Sequence, residues 1–347
     1  MRNTYAFLFL FFVLACNKDE VAPTQSIVIN EKFLKNEAQV LEKGFAELRT
    51  LPYMGSMIVI KNGEIIKEEY FNKYNQNYGF NIKSSSKGFI SVLIGIAIEQ
   101  GYIKSVDEKI SQFFPEYIDN NSDPRKFDVT IKHLLTMQSG FDSDEADYST
   151  YFTQNWVESI LKIEMGTKPG TKFIYDSKMT HLLSAILTKS TGKSTLEFAE
   201  KYLFQPLNIK IKGWSQSPVG IYEGGSEMYF TSRDLSKLGL LYLNNGMFDE
   251  KQIINEAWVK ESLINRTNVN LSNFGREVTG YGYSWWLETI KGEKAFSAKG
   301  VCGQFVTVFP ELDLVVTTTT DWKYVASHNL DTSAPFINKF IAKYIIP

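Results

Sequence analysis

A polar run, Asn81-Ile82-Lys83-Ser84-Ser85-Ser86-Lys87-Gly88, gives way abruptly to Phe89, Val92, Leu93, Ile96, Ala97 and Ile98. Those apolar residues recur at helical spacing up to Gly101. The pattern predicts a helix that begins inside the serine run and has a buried body. Upstream, Phe33, Leu34, Val40, Leu41, Phe45 and Leu48 form a helical stripe over residues 31–49. Apolar runs at 56–60 and 64–66 flank Lys61-Asn62-Gly63, a strong hairpin signal, and the second strand continues to Tyr70-Phe71.

From about 101 to 284 the pattern is helical and rich in loops. Short helices are expected at 106–115, stopped by Pro115, at 130–137 before Ser139-Gly140, and at 156–163. Longer ones are expected at 177–191, ending at Gly192, and at 231–243, ended by Asn244-Asn245-Gly246. Strand patterns return at 295–298, 304–309 and 314–320, and residues 333–346 read as a closing amphipathic helix. Strands at both ends around a helical middle predict an α/β protein of the α+β type. One antiparallel sheet would draw on both chain ends, about 31–100 and 285–347, with a largely helical insertion at about 101–284. No repeat of 20–50 residues is present.

A chain of 347 residues with 44% hydrophobic and 14% aromatic residues can bury a substantial core. The net charge of −2 and the absence of a long basic run argue against nucleic acid as a partner. Cysteine occurs only at 16 and 302, so no disulfide framework and no Cys/His zinc cluster can form in the body. Residues 1–15 read as a leader: Arg2, then an apolar stretch at 6–14 too short to span a bilayer. It ends at Val13-Leu14-Ala15-Cys16, which resembles a bacterial lipobox. By that resemblance Cys16 is the lipidated N-terminus; an ordinary signal peptide with a chance cysteine is the alternative. Asn17-Lys18-Asp19-Glu20 resembles the surface-export signal of Bacteroidetes lipoproteins, and residues 16–30 read as a tether. The expected location is the periplasmic side of the outer membrane or the cell surface, held by a lipid anchor.

The chemistry starts from Ser84. It falls at the beginning of the predicted helix, where free N–H groups favour a developing anion. Lys87 follows at i+3, on the same face. A lysine held neutral by its surroundings can activate a serine. Ser159/Lys162 and Ser190/Lys193 have the same spacing, but neither serine starts a long buried helix. A serine-rich N-cap with a solvated lysine accounts for the pattern equally well. Tyr175, just before the 177–191 helix, could relay a proton beside a lysine; an ordinary half-buried loop aromatic is the plainer reading. Tyr70-Phe71-Asn72 and Tyr242-Leu243-Asn244 show that Tyr-x-Asn alone is not specific. The histidines, His133, His181 and His328, come with no Gly-x-Ser-x-Gly elbow and no His-Glu-x-x-His spacing, which disfavours a histidine triad and metal catalysis. Trp285-Trp286 after Tyr281-Gly282-Tyr283 could wall a pocket or form a buried strand.

Taken together, several stretches resemble the serine β-lactamase-like superfamily. The branch is that of class C β-lactamases, 6-aminohexanoate-dimer hydrolases and penicillin-binding-protein-like enzymes. They are Lys83 to Lys87, Thr130 to Gly140, Pro169-Gly170 through Tyr175, Thr231 to Leu235, Tyr281 to Trp286, and Gly300 through Leu314. The resemblance covers about residue 31 to the C-terminus. It implies Ser84 as acyl-enzyme nucleophile, Lys87 as its base partner and Tyr175 as proton relay. The backbone N–H groups of Ser84 and Val301 would form the oxyanion hole, with Ser177 and Gly300 at the substrate and no cofactor.

Two departures narrow the reading. The second motif is Tyr175-Asp176-Ser177 rather than Tyr-x-Asn. In the third, Ser297-Ala298-Lys299-Gly300, either Ala298 or Lys299 occupies the position where the family usually has Lys or His; if Gly300 is the motif glycine, it is Ala298. In that register Lys299 is one residue out of phase and, on a strand, faces the other side. The missing cation would ordinarily grip a substrate carboxylate. An esterase or amidase acting on a small molecule is therefore expected. The alternatives are a D-alanyl-D-alanine carboxypeptidase or class C-like β-lactamase, and a catalytically inactive ligand-binding lipoprotein.

Overall fold

The computed structural model describes residues 35–267, 278–330 and 334–346. The leader, Cys16 and the tether expected at 16–30 lie outside the described residues. Helix α1 (Lys35–Leu48) precedes the hairpin of β1 (Met54–Lys61) and β2 (Glu64–Tyr70), then β3 (Phe80–Asn81). A 3₁₀ turn over Lys83–Ser85 leads into α2 (Ser86–Glu99). The middle of the chain holds α3 (Ile131–Leu135), α4 (Trp156–Lys162), α5 (Ser177–Thr191), α6 (Thr195–Ala199), β4 (Gly213–Trp214), β5 (Met228–Phe230) and α7 (Ser232–Leu243). After β6 (Met247–Phe248), β7 (Lys251–Gln252) and α8 (Glu256–Ser262) come β8 (Val278–Tyr281), β9 (Trp286–Ile290), β10 (Glu293–Gly300), β11 (Gln304–Phe309) and β12 (Leu314–Thr320). Helices α9 (Trp322–Ser327) and α10 (Ala334–Tyr344) close the described chain. The helix starts have a local cause: side chains of Thr130, Asn155, Asp176 and Thr231 accept backbone N–H bonds at the first turns of α3, α4, α5 and α7.

Among the described residues the main sheet has seven strands in the order β2-β1-β12-β11-β10-β9-β8, antiparallel throughout. Strand β1 lies between β2 and β12, so both chain ends build one sheet, as expected. Alternate residues feed two cores. Ile58, Ile60, Val306, Val308 and Val315 face α2, α5 and α7, whereas Met57, Val59, Phe305 and Val316 face α1 and α10. Helix α2 is buried from Ser86 to Ala97, the expectation for a helix apolar on nearly all sides. Phe89 on it stacks on Phe230 at 4.7 Å between ring centres; burying such a side chain stabilises the fold by about 1.5–3 kcal/mol.

Two details differ from the expectation. The helix expected over 106–115 is reduced to a 3₁₀ turn at Ile110–Gln112. Its backbone pairs instead with the 129–132 segment: Ile110 N–H bonds to the Val129 carbonyl at 2.9 Å and Lys132 N–H to the Val106 carbonyl at 2.7 Å. The middle of the chain is also less uniformly helical. It contributes a small sheet, β3-β5-β4, and β8 returns to the main sheet at Val278. Helix α7 lies on that sheet, where Ser236 Oγ donates to Thr317 Oγ1 at 2.9 Å. Among the described residues no helix is long and apolar enough to cross a membrane.

Candidate active site

Ser84 sits in the 3₁₀ turn that opens α2, and the turn is fastened on several sides. Lys83 adopts φ +50°, a left-handed conformation uncommon outside glycine. Asn81 Oδ1 accepts the Lys83 N–H at 3.0 Å, and Ser86 Oγ donates to the Lys83 carbonyl at 2.6 Å. The Lys83 ammonium pairs with Glu227 at 2.9 Å and lies 3.5 Å from the centre of the Trp322 ring. Buried Ser85 donates to the carbonyls of Gln304 at 2.6 Å and Ala298 at 3.1 Å, tying the turn to β11 and β10. Gly300 completes the contact: a Cβ there would lie 2.2 Å from the Ile82 carbonyl oxygen. Only glycine lets β10 come this close to the turn, and Val301 follows directly.

Lys87, one helical turn on, is 1% exposed. Its three ammonium protons meet three acceptors: Ser84 Oγ at 2.8 Å, Ser177 Oγ at 2.8 Å and the Gly225 carbonyl at 2.9 Å. The Tyr175 ring lies 4.9 Å from the nitrogen and packs in turn on Trp286 at 5.3 Å. A buried cation requires such partners. The Gly225 carbonyl reaches it because Gly224-Gly225 runs flat against the first turns of α5. A Cβ on Gly224 would lie 2.2 Å from the Thr180 carbonyl oxygen, and one on Gly225 2.6 Å from Ser177 Cβ.

The Ser177 hydroxyl also donates to Glu145 Oε1 at 2.6 Å, and its N–H donates to Oε2 at 2.6 Å. Burial pushes the Glu145 carboxyl up from its ordinary value, opposed by the Lys87 charge and the two Ser177 hydrogen bonds. The loop that carries Glu145 is pinned from beneath. Lys178, 1% exposed, donates to the Asp144 carbonyl at 2.8 Å and the Asp147 carbonyl at 3.0 Å, and pairs with buried Asp176 at 3.1 Å. Asp176 also accepts a short bond from Ser143 Oγ. The departure Tyr175-Asp176-Ser177-Lys178 is thus the docking point of the Glu145 loop.

The structure brings Ser84, Lys87, Tyr175, Ser177 and Gly300 together. Ser177, expected among substrate contacts, has its hydroxyl engaged within the protein. Val301 lies at the end of β10 with its side chain largely exposed. Ala298 faces α2 and is buried. Lys299 points to the opposite face of β10, where it pairs with Glu288. The other Ser-x-x-Lys pairs are elsewhere: Lys162 pairs with Glu158 on the surface of α4, and Ser190 bonds back to the Leu187 carbonyl. His133 accepts from the Thr130 N–H, His181 is buried 3.5 Å from Glu223, and His328 stacks on Tyr324. Among the described residues no group of His, Cys, Asp and Glu could hold a metal ion. Trp285 is buried against Tyr242, while Trp286 backs Tyr175. Sequence reasoning missed Glu145, which lies in a polar loop, and Gly225, for which the Gly-Gly pair was the available signal.

The family described as Beta-lactamase matches residues 52–334. The chain belongs to the beta-lactamase family. This family of serine hydrolases includes relatives with several activities. The 6-aminohexanoate-dimer hydrolase of Paenarthrobacter ureafaciens is 22% identical over 296 residues, covering 77% of this chain and 72% of its own length. Two solved structures share the fold. A putative 6-aminohexanoate-dimer hydrolase from Bacillus anthracis superposes with a TM-score of 0.66 at 20% identity, over 87% of this chain and 82% of that one. A putative beta-lactamase from Bacteroides dorei reaches 0.69 at 15% identity, over 81% and 90%. The beta-lactamase fold read from the sequence, with one antiparallel sheet flanked by helices, is the fold observed.

Proposed function

We propose that this member of the beta-lactamase family cleaves an ester or amide through an acyl-enzyme on Ser84. The observation that carries the reading is the buried Lys87 nitrogen 2.8 Å from Ser84 Oγ. As Oγ attacks the acyl carbon, Lys87, once one of its ammonium protons has left to solvent, takes the hydroxyl proton and the carbonyl electrons move to oxygen. The N–H groups of Ser84 and Val301 receive that oxyanion, a role that in hydrolases of this kind contributes more than any other single effect. Collapse expels the alcohol or amine, which takes up the proton held by Lys87, with Tyr175 as the relay. Water then attacks the acyl carbon and gives a proton to Lys87; the bond to Ser84 Oγ breaks, Lys87 returns the proton to Oγ, and the carboxylic acid leaves.

The substrate is one without a carboxylate beside the scissile bond. Ala298 offers no cation on the α2 face, and Lys299 is engaged by Glu288 on the other side. A buried carboxyl, Glu145, stands behind Ser177 instead. β-Lactams and D-alanyl-D-alanine termini carry the carboxylate that this arrangement does not grip.

The test compares nitrophenyl esters and anilides with a chromogenic cephalosporin, using wild type and Ser84→Ala. Ester or anilide turnover that Ser84→Ala abolishes, with negligible cephalosporin turnover, is the expected result. Rapid Ser84-dependent cephalosporin hydrolysis would overturn the assignment of substrate. We also propose that lipidation of Cys16 anchors the enzyme to a membrane on the exported side. Cys16→Ser should then move it from the membrane fraction to the soluble fraction of cells that export it.

A further inference from the structure

We propose that the cavity between α1, α10 and the adjoining end of the main sheet binds a long-chain carboxylate, with the alkyl tail inside and the anionic head among Lys61, Lys291 and Lys343. The site lies on the face of the sheet turned away from α2 and Ser84. The proposal is independent of the acyl-enzyme reading.

The cavity has a volume of about 290 Å³. An apolar protein cavity of about 150 Å³ already takes up benzene, and small-molecule pockets start at about 300 Å³. At roughly 30 Å³ per water-sized group, the space holds a chain of about ten methylenes. Its wall is apolar: Val40 and Leu41 of α1, Ile66 of β2, Leu314 of β12, and Ile345 and Ile346 after α10. Leu41, Leu314 and Ile346 are buried, whereas Val40 is 43% exposed at the edge. An apolar concavity open to water is a place where a ligand gains by burying its own apolar surface.

Packing explains why the cavity does not collapse. A Cβ on Gly44 would lie 2.8 Å from Tyr344 Cγ, so α1 and α10 already touch one turn beyond Leu41. Tyr344 Oη donates to Glu47 at 2.5 Å, one turn further along α1. The two helices therefore cannot move closer to fill the space. On the sheet side, Lys61 pairs across the strands with Leu314 and Glu64, which fixes the strand ends.

The charges select the head group. Three lysines line the cavity, Lys61, Lys291 and Lys343, against one acid, Glu37. They come from three separate places: the end of β1, the β9–β10 turn and the last turn of α10. Lys291 Nζ is held at the wall by the Ile346 carbonyl at 2.9 Å. Lys343 pairs with Glu47 at 3.4 Å on the exposed side. A carboxylate head there meets a positive rim, and an ammonium head meets like charges.

The experiment titrates the full exported chain with dodecanoate below its micelle concentration, by calorimetry. The chain carries Cys16→Ser, so that a lipid on residue 16 does not compete. Dodecyltrimethylammonium and phosphatidylglycerol vesicles are the comparison ligands. Val40→Glu, the double variant Lys61→Gln/Lys343→Gln and Ser84→Ala are the comparison proteins. Thermal melts check folding, and fluorophosphonate labelling at Ser84 follows the active site.

The expected result is one dodecanoate per chain, bound equally by wild type and Ser84→Ala. Affinity should fall about 10-fold or more in the lysine double variant, and by a similar factor for dodecyltrimethylammonium. Val40→Glu should abolish binding and leave the labelling rate unchanged. Val40→Trp, which fills the same space without a charge, takes its place if that variant does not fold. No stoichiometric binding by folded wild type, binding indifferent to the Val40 variants, or equal affinity for the two surfactants each overturns the proposal. Loss of binding in Ser84→Ala would place the ligand at the active site and overturn it as well. Vesicle binding without binding of monomeric dodecanoate would make the partner a membrane. Slow hydrogen exchange over residues 31–34 in a wild type that does not bind would give the cavity to the segment before α1. Both of these results also overturn the proposal. Absence of labelling at Ser84 would remove the acyl-enzyme reading and leave this test intact.

Discussion

The ammonium of Lys299 pairs with the carboxylate of Glu288 on the face of β10 turned away from Ser84. Glu288 is fully enclosed and also accepts from Ser297 Oγ at 2.5 Å and Asn338 Nδ2 at 3.1 Å. Lys299 is therefore a structural cation. Lys299→Met should cost about 3–5 kcal/mol, because it leaves a buried carboxylate without its counter-ion. Denaturant unfolding should show that loss, Glu288→Gln in the same chain should return part of it, and labelling at Ser84 should persist in the folded fraction. Loss of labelling at full stability would contradict this account of Lys299.

Lys178 makes the corresponding prediction for the loop that carries Glu145. Lys178→Met removes the donor to the Asp144 and Asp147 carbonyls and strands buried Asp176. A loss of about 3–5 kcal/mol is expected. Hydrogen exchange over residues 142–155 should accelerate well beyond that of α2. Equal acceleration across both would show that the pair supports the whole fold rather than the loop.

The Lys83–Glu227 pair predicts a pH-dependent stability. Burial raises the Glu227 carboxyl, but hydrogen bonds from Lys83 and Asn81 outweigh it and hold the group below its ordinary value of 4.5. A depressed carboxyl contributes stability that is present above 4.5 and is lost as the pH falls through the folded-state value. Glu227→Gln should cost about 1 kcal/mol at neutral pH. Melts taken across the acid range should show its deficit against wild type closing below pH 4.5. A deficit constant with pH would contradict the ion-pair explanation.

Gly225→Ala should disturb the site from the other side. The new Cβ would lie 2.6 Å from Ser177 Cβ, so either α5 or the Gly225 carbonyl must move. Overpacking of this kind costs about 1–3 kcal/mol. Labelling at Ser84 should slow in parallel, because Lys87 loses an acceptor. A variant with wild-type stability and rate would show that the loop relaxes without cost.

These outcomes separate what the sequence could show from what it could not. Ser84 and Lys87 were legible because their relationship is local: three residues apart at the start of a helix whose apolar run marks it as buried. The direction of Lys299 followed from strand alternation once Gly300 was taken as the motif glycine. Glu145 was not, because its partner Ser177 lies 32 residues away and nothing in a polar loop says which way it folds. The docking depends on buried Lys178 and Asp176, and a charged pair within a helix start reads equally well as a solvated one. The helix expected at 106–115 failed for a related reason: its local pattern was outweighed by pairing with residues 129–132, which no short window contains.

The most direct test of the central claim is the mass of the protein after reaction with a fluorophosphonate, with peptide mapping of the adduct in wild type and Ser84→Ala. The account predicts a single stoichiometric adduct on the peptide containing Ser84, absent from the variant. An adduct on another residue, or none on a folded wild-type protein at any pH, would contradict it.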